Sequence, residues 1–297
     1  MRNDFAAFIL THGRPDRVYT YETLRRSGYT GRIYIVIDDE DRAGPEYRKV
    51  FGDQVITFSK QEIAKQFDEG DNFQTFKGVV YARNAVWELA RKAGIRYFIE
   101  LDDDYNSGFY IRYNSMLQYG NTPRLKFSIE SVFDAMIEFV ERTGASTLAM
   151  SQGGDHIGGR RGIPPKLTRK AMNSFLCDAT RPFTFDGRIN EDVNAYVSHG
   201  IRGTIFFTAM QIQVNQLATQ SNAGGMTELY LDSGTYVKSF YSVMYCPSAV
   251  KIGQLGDPRS PHYRIHHAIN WHNVAPKILR ETHRKASRTE VLTAGES

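Results

Sequence analysis

Cysteines and long apolar runs are both scarce in this sequence. Cys177 and Cys246 are the only cysteines among 297 residues, and two cysteines at this spacing suit neither a disulfide framework nor a zinc motif. We therefore expect two free, buried thiols. No apolar run approaches the roughly 20 residues that cross a bilayer, and the first residues lack the layout of a signal peptide. These absences predict a cytoplasmic protein that does not act at a membrane.

The chain also carries little net charge. Its formal charge of +4 permits a polyanionic partner without indicating one. The basic residues are unevenly spread, and the stretch 156–170 contains no acid but five basic residues, namely Arg160, Arg161, Lys166, Arg169 and Lys170. A cationic loop of this kind suits contact with a phosphate backbone, although a solvated loop without a ligand has the same composition.

Apolar runs alternate with helical spacers in the first ~105 residues, a length within the usual range for a domain. Runs at 5–10, 32–38, 54–59 and 96–101 are rich in β-branched and aromatic residues, which is typical of strands buried on both faces of a parallel sheet. The spacers, including a helix at 81–93, give a βαβ rhythm and predict an α/β protein with a doubly wound sheet. Further along the chain we expect a helix at 128–142 and strands at 146–151, 204–214 and 239–244.

Polar side chains follow three of the early strands. The first group is Thr11, His12 and Arg14, the second is Asp38, Asp39 and Glu40, and the third is Asp102, Asp103 and Asp104. Ligands of doubly wound sheets bind outside the carboxyl ends of the strands. We therefore expect the three groups to meet at one edge of the sheet.

The triplet Asp102-Asp103-Asp104 is the strongest single indication of chemistry. Three carboxylates at a strand end are unfavourable unless a cation or hydrogen-bond donors compensate them. Carboxylate oxygens suit Mg²⁺ or Mn²⁺, which in turn bridges phosphate oxygens. Strand alternation puts Asp102 and Asp104 on one side and Asp103 on the other. A solvated acidic turn or a helix N-cap cluster would explain the same residues without a metal.

The order of the motifs resembles a known family. The ordered set is Thr-His-Gly-Arg-Pro at 11–15, Val-Ile-Asp-Asp-Glu-Asp at 36–41, Ala-Arg-Asn at 82–84, Leu-Asp-Asp-Asp at 101–104, Asn-Glu-Asp at 190–192 and Tyr-Arg-Ile-His-His at 263–267. This set resembles a GT-A glycosyltransferase. More narrowly, it is similar to the TET-associated glycosyltransferases of bacteriophages, which glycosylate 5-hydroxymethylpyrimidines in DNA.

The resemblance implies a fold and a division of the chain. The fold is a GT-A-like, doubly wound mixed sheet flanked by helices in a single domain at 1–283. Residues 1–105 would form the nucleotide-binding half and residues 106–283 the acceptor and sugar half. A disordered tail would follow at 284–297. If a phage encodes the protein, the expected location is the cytoplasm of the host cell.

The resemblance also implies a donor site and a metal. The donor would be a nucleoside-diphosphate sugar, with UDP favoured, bound by Thr11, Arg14, Asp38, Asp39, Arg83, Asp102, Asp103 and Gly154. Within that site Arg83 would contact the diphosphate, although an ordinary surface ion pair is an equal alternative. Asp104 would ligate Mn²⁺ or Mg²⁺. A C-terminal histidine would complete the metal site, and His266 or His267 is favoured over His262 and His272.

Three acids are implied on the acceptor side. Asp155 lies in a glycine-bearing loop that faces the donor sugar and the acceptor, and Glu191-Asp192 lies beneath the acceptor. Glu191 or Asp192 is the candidate general base, although acids at a helix start are also favoured by the helix dipole. The basic stretch 156–170 would contact DNA, whose modified base is flipped out or single-stranded. The sequence leaves open whether the reaction inverts or retains configuration.

Three other functions remain open at this point. The chain could act on a glycan, lipid or protein acceptor, or it could be a sugar nucleotidyltransferase, which releases pyrophosphate instead of UDP. It could also be a non-catalytic nucleic-acid-binding module, whose DNA binding would be salt-sensitive and independent of metal. We expect no stable protein partner.

Overall fold

A computed structural model describes residues 2–113, 124–156, 170–216, 237–256, 258–259 and 263–274. The strands have the following bounds. They are β1 (Phe5–Leu10), β2 (Arg32–Asp38), β3 (Val55–Phe58), β4 (Tyr97–Asp102), β5 (Phe109–Ile111), β6 (Thr147–Ser151), β7 (Ser174–Asp178), β8 (Phe206–Val214), β9 (Val250–Leu255) and β10 (Arg264–Ile269). The helices are α1 (Tyr19–Arg26), α2 (Gly44–Phe51), α3 (Lys60–Ala64), α4 (Val80–Lys92), α5 (Ile129–Thr143), α6 (Glu191–Ile201), α7 (237–245) and α8 (Trp271–Val274).

Eight of these strands form one mixed sheet in the order β3-β2-β1-β4-β7-β6-β8-β5. The first four strands are parallel to one another, and β7 runs antiparallel to β4. The predicted single-domain α/β fold with a mixed sheet flanked by helices is confirmed. Leu10 is in register with Val36 of β2 and with Asp102 of β4, so the carboxyl ends of three parallel strands lie at the same edge.

The core has two layers, one on each face of the sheet. Every residue of β1 is buried, and its side chains alternate between the layers because strand side chains have a period of two. Phe5 packs against Phe133 of α5, with ring centroids 5.4 Å apart. On the other face Phe8 packs against Phe98, which meets Trp87 of α4 at 4.9 Å. Buried helices on both faces explain why the strands are continuous apolar runs.

One predicted strand is wrong. Residues 239–244 are helical and belong to α7. Within this range Ser239, Tyr241 and Ser242 are buried, and Ser239 and Ser242 are three positions apart, which is the spacing of one side of a helix. A short run of aromatic and β-branched residues does not by itself distinguish a strand from a buried helix.

The expectations about thiols are confirmed, and those about the tail stay predictions. Cys177 and Cys246 are both free and buried. The tail at 284–297 lies outside the described residues. None of the helices in the described ranges has the length and apolar composition of a membrane span.

Candidate active site

Asp103 ties the loop after β1 to the end of β4. Its carboxylate accepts a hydrogen bond from the Thr11 hydroxyl at 2.6 Å and lies 3.0 Å from Nη2 of Arg14. The Tyr47 hydroxyl is 2.8 Å from Thr11 Oγ1 and accepts from the Arg14 backbone N–H at 2.8 Å. Burial raises the pKa of Asp103, while Arg14 and Thr11 lower it. Asp103 and Thr11, expected as donor contacts, therefore also anchor β1 to β4.

Asp38, at the end of β2, lies between two basic side chains. His12 Nδ1 is 2.6 Å from one carboxylate oxygen, and Lys60 Nζ is 3.0 Å from the other. These contacts lower the pKa of Asp38 against the effect of its burial, and the hydrogen bond to Asp38 raises the pKa of His12. Asp39 is exposed beside them and accepts the Lys60 backbone N–H at 3.1 Å. The three polar strand ends meet at one edge, as predicted.

His12, Asp38 and Asp41 have the spacing of a metal site. Their ligand atoms lie within 4.8 Å of one another, and in the described part of the chain this is the group of three that meets that limit. The Lys60 ammonium already neutralises Asp38, and the Gly13 N–H donates to Asp41 at 2.7 Å. These contacts account for the two carboxylates without a metal.

Arg83 of α4 lies inside the molecule. It is 1% exposed, and its donors are directed at three carboxyl groups. Nε donates to Glu191 at 3.0 Å, Nη2 donates to Asp102 at 3.0 Å, and Nη1 lies 3.8 Å from Glu100. The guanidinium also lies over the ring of Phe175, 5.0 Å from its centroid. The motif order suggested a diphosphate contact for Arg83, but in this structure its partners are protein carboxyls.

The carboxyls around Arg83 outnumber its single positive charge. Burial raises the pKa of Glu100 well above its ordinary value, and Arg83 only partly opposes this effect. Burial likewise raises the pKa of Glu191. Both oxygens of Glu100 lack a hydrogen-bond partner in the described part of the chain. Burial among other carboxyls therefore favours the protonated form of Glu100, which reduces the net negative charge of the cluster.

Asp104 lies in the turn directly after β4, beyond the two engaged aspartates. Its Oδ1 is buried and has no hydrogen-bond partner among the described residues. Burial, followed by the charges of Asp102 and Asp103, raises the pKa of Asp104 to about 7. A buried carboxylate oxygen without a donor is unfavourable unless a ligand or cation satisfies it. This residue fits a divalent cation, for which carboxylate oxygens are preferred ligands.

Glu191 and Asp192 open α6, as predicted. Asn190 precedes them with a left-handed backbone at φ 57°. Glu191 is bound to Arg83 at 3.0 Å, whereas the Asp192 carboxylate accepts the Val193 N–H at 2.7 Å. Burial raises the pKa of Asp192. Of the two acids, Asp192 is better placed to accept a proton, because Glu191 is paired with Arg83 and Asp192 has no ion pair with a described residue.

Asp155 and Asp192 both act on Tyr196, although the chain separates the two acids by more than 30 residues. It belongs to the turn Gly153–His156 after β6, and its carboxylate accepts a backbone N–H at 2.9 Å. Burial, followed by the charges of Asp192 and Asp155, raises the pKa of Tyr196. Two of the three predicted acceptor-side acids, Asp155 and Asp192, therefore act on one buried phenol through their charges, and Gly154 is exposed next to Asp155 in the chain.

Lys170 connects the acidic residues to the C-terminal histidines. Its Nζ lies 3.3 Å from His267 Nε2. Burial, followed by Lys170 and His266, lowers the pKa of His267 to about 2, so the ring is neutral, as a metal ligand must be. Lys170 also lowers the pKa of Asp192, while Asp102 raises it. Lys170 therefore contacts His267 and also acts on Asp192 through its charge.

Neither the predicted metal ligands nor the predicted DNA contacts are seen as a group among the described residues. Within the described ranges, no set of three His, Cys, Asp or Glu ligand atoms within 4.8 Å of one another includes Asp104, His266 or His267. Of the five predicted DNA contacts, Lys170 is described and four lie outside the described residues, namely Arg160, Arg161, Lys166 and Arg169. The assignment of metal ligands and DNA contacts stays a prediction.

Arg188 is a structural residue of the site that the motifs did not reveal. It is 0% exposed and donates to both oxygens of Asp71, at 2.8 and 3.1 Å. The Tyr241 hydroxyl of α7 donates to the same carboxylate at 2.6 Å. Arg188 thus ties the loop before α4 to the segment that leads into Asn190. The acidic stretch at 68–71 was a signal, because its charge required a basic partner elsewhere in the chain.

Comparison with known proteins identifies the family. The sequence model of the TET-Associated Glycosyltransferase family matches residues 5–225, more than half of the chain. The chain belongs to this family. It is therefore a glycosyltransferase, as the motif order predicted. A search of the curated proteins gave no match.

Solved structures with a similar course of the chain include two enzymes. Glucosyl-3-phosphoglycerate synthase from Mycobacterium tuberculosis, in complex with Mg²⁺ and UDP, is 10% identical over 89% of this chain and 87% of that chain, with a TM-score of 0.45. The mannosyltransferase PcManGT from Pyrobaculum calidifontis, in complex with GDP-Man and Mn²⁺, is 8% identical over 74% of this chain and 59% of that chain, with a TM-score of 0.45. Similarity at this level assigns no residue.

Replacing Arg83 by methionine should destabilise the protein in a pH-dependent way. Without the guanidinium, Glu100, Asp102 and Glu191 face one another unpaired, and we expect a loss of about 3–5 kcal/mol near pH 8. The loss should be smaller near pH 5, because protonation neutralises Glu100 and Glu191, whose pKa values are raised by burial. Urea unfolding followed by circular dichroism at both pH values measures it. Lys92→Met, on the exposed side of the same helix, is the control, and equal stability of both variants at pH 8 would contradict the role of Arg83.

Replacing Asp104 by asparagine should stabilise the metal-free protein at high pH. The pKa of Asp104 is about 7 in the fold against an ordinary 3.8, so the folded state binds this proton more tightly than the unfolded state. Wild-type stability therefore falls as pH rises between these two values. We expect Asp104→Asn to have the higher Tm at pH 8 in EDTA, with the difference shrinking towards pH 4. The exposed Asp134→Asn is the control, and identical Tm values at pH 8 would refute the raised pKa.

Proposed function

We propose that this glycosyltransferase moves a sugar from a UDP-sugar to the hydroxyl of a 5-hydroxymethylpyrimidine in DNA, with the help of a divalent cation. The observation that carries the donor part is the convergence of the ends of β1, β2 and β4 beside an unpartnered carboxylate oxygen of Asp104. Membership of the TET-associated family and the basic stretch at 156–170 support the DNA acceptor.

Asp104 and His267 are the residues that would hold the cation. Both are suited to it, because Asp104 has an oxygen without a partner and His267 has a neutral ring. Mn²⁺ or Mg²⁺ bound there would offset the negative charge of the leaving diphosphate. Thr11, Arg14 and Asp38 lie at the same sheet edge and would form the wall of the nucleoside pocket.

Asp192 is the proposed general base. The acceptor hydroxyl oxygen attacks C1 of the sugar, the bond from C1 to the diphosphate oxygen breaks, and UDP leaves. The hydroxyl proton passes to Asp192, whose raised pKa makes its carboxylate a stronger base than a solvated one. Glu191 stays bound to Arg83 and keeps the start of α6 fixed against β4.

The acceptor base must leave the DNA stack for this geometry to operate. A hydroxymethyl group inside a duplex cannot reach a donor at the end of a sheet, so the base is flipped out or presented on a single strand. The basic residues at 160–169 would bind the phosphate backbone regardless of sequence. We therefore expect single-stranded acceptor to react at least as well as duplex.

Release of UDP from a panel of UDP-sugars tests the function. We expect UDP release with Mn²⁺ and an oligonucleotide containing 5-hydroxymethylcytosine, and none with the unmodified oligonucleotide or in EDTA. Asp104→Ala should reduce turnover at least about 100-fold, since it removes the proposed cation ligand. Mass spectrometry of the DNA identifies the product. Full activity of Asp104→Ala would contradict the assignment of Asp104 as a cation ligand. Turnover with a small glycan but not with DNA would show that the acceptor is a glycan.

A second experiment distinguishes the roles of the two acids of α6, Glu191 and Asp192. Asp192→Asn should lower kcat by about 100-fold or more while thermal shifts with UDP and Mn²⁺ stay as in the wild type, because the variant lacks the base but keeps the donor site. Glu191→Gln should instead lower the Tm, since it weakens the ion pair with Arg83. Asp134→Asn is the matched surface control. An Asp192→Asn enzyme with wild-type kcat would rule out the proposed base.

A further inference from the structure

Lys170 and His267 form a contact that fixes the direction of a lone pair. The two nitrogens, Nζ and Nε2, are 3.3 Å apart. An ammonium group has donors and no acceptor, so His267 Nε2 accepts the hydrogen bond and its ring proton is on Nδ1. The Nε2 lone pair of His267 therefore points at a cation. A neutral histidine offers this same lone pair to a metal ion.

The surroundings hold both partners in place. His267 is 6% exposed on β10, in register with Ile252 of β9, so its ring is confined by the hairpin. The backbone carbonyl of Lys170 accepts the Thr208 hydroxyl of β8 at 2.7 Å, which ties this end of the basic stretch to the sheet. The positive charge of Lys170 also acts on Asp192. The ammonium therefore contacts His267 while its charge lowers the pKa of Asp192 in α6.

We propose that Lys170 is a donor-site residue whose ammonium occupies the cation position of the donor-free enzyme and moves to the donor's diphosphate when a divalent cation binds. The inference rests on the proposed function, in which Asp104 and His267 hold that cation. One lone pair serves one cation at a time, so the ion and the ammonium compete for His267 Nε2. Once displaced, the ammonium is next to a diphosphate, with which it forms charge-assisted hydrogen bonds.

This exchange has two consequences for binding. Without nucleotide, Lys170 weakens the affinity for a divalent cation, because the ion must displace it and is repelled by it. With nucleotide present, Lys170 strengthens binding, because its charge is then paired with phosphate. The enzyme therefore takes up the cation mainly together with the donor, and Lys170 serves the donor rather than the DNA backbone.

The first consequence is tested by titrating Mn²⁺ into the 297-residue protein. Electron paramagnetic resonance measures the free Mn²⁺ at each point. Without UDP, Lys170→Met should bind Mn²⁺ at least about tenfold more tightly than the wild type, because the competing ammonium is gone. Lys92→Met removes the same charge from an exposed helix position and should leave the affinity unchanged. Calorimetry with UDP and saturating Mn²⁺ should show weaker UDP binding by Lys170→Met.

A double-mutant cycle with His267→Ala separates competition for the lone pair from a general charge effect. We expect the gain from Lys170→Met to be several-fold smaller in the His267→Ala background, because the contested ligand is absent. Circular dichroism melting confirms that each variant is folded. An equal gain in both backgrounds, or no gain in either, would overturn the role of Lys170 and leave the proposed function standing. Absence of Mn²⁺ binding by the wild type and Lys170→Met, with and without UDP, would overturn both.

Discussion

The buried guanidinium of Arg83 is the interaction on which the rest of the site depends. It joins α4, the end of β4 and the start of α6, and its bond to Glu191 spans 108 residues of sequence. A charge removed from water must be paired, and breaking such a pair leaves the partner uncompensated. The Arg83 guanidinium therefore holds the acidic end of β4 and the start of α6 together. The donor and acceptor sides of the proposed reaction depend on this one side chain.

The alternation of β4 divides the aspartate triplet into separate roles. Asp102 faces α4 and binds Arg83, while Asp103 faces the opposite layer and binds Thr11 and Arg14. Asp103 and Asp104 both lie in the turn after the last strand residue, and Oδ1 of Asp104 has no hydrogen-bond partner among the described residues. Two aspartates thus fix the backbone and leave the third to a ligand. Three acids are tolerated at one strand end because described residues donate hydrogen bonds to Asp102 and Asp103.

Much of the fold and the edge where the site lies could be predicted from the sequence, because strands buried on both faces are continuous apolar runs and parallel strands end at one edge. The role of Arg83 could not be predicted from the sequence, since an arginine in a helix is usually exposed. A signal was nevertheless present: Arg83 follows Val80 by three positions and precedes Trp87 by four, which places it on the buried stripe of α4. The contact of Lys170 with His267 depends on the long-range packing of β10, for which sequence spacing gives no rule.

The balance of charge at the site explains why so many of its acids have raised pKa values. Glu100, Asp104, Glu191 and Asp192 are all shifted in the same direction, with burial as the first cause. Among the described residues Arg83, Lys170 and Arg14 supply positive charge, the carboxyls remain in excess, and the raised pKa values favour protonation, which reduces that excess. A divalent cation would reduce it differently, by adding charge while protons leave. The diphosphate would then return negative charge beside Lys170, so cation and donor each make the other's binding more favourable.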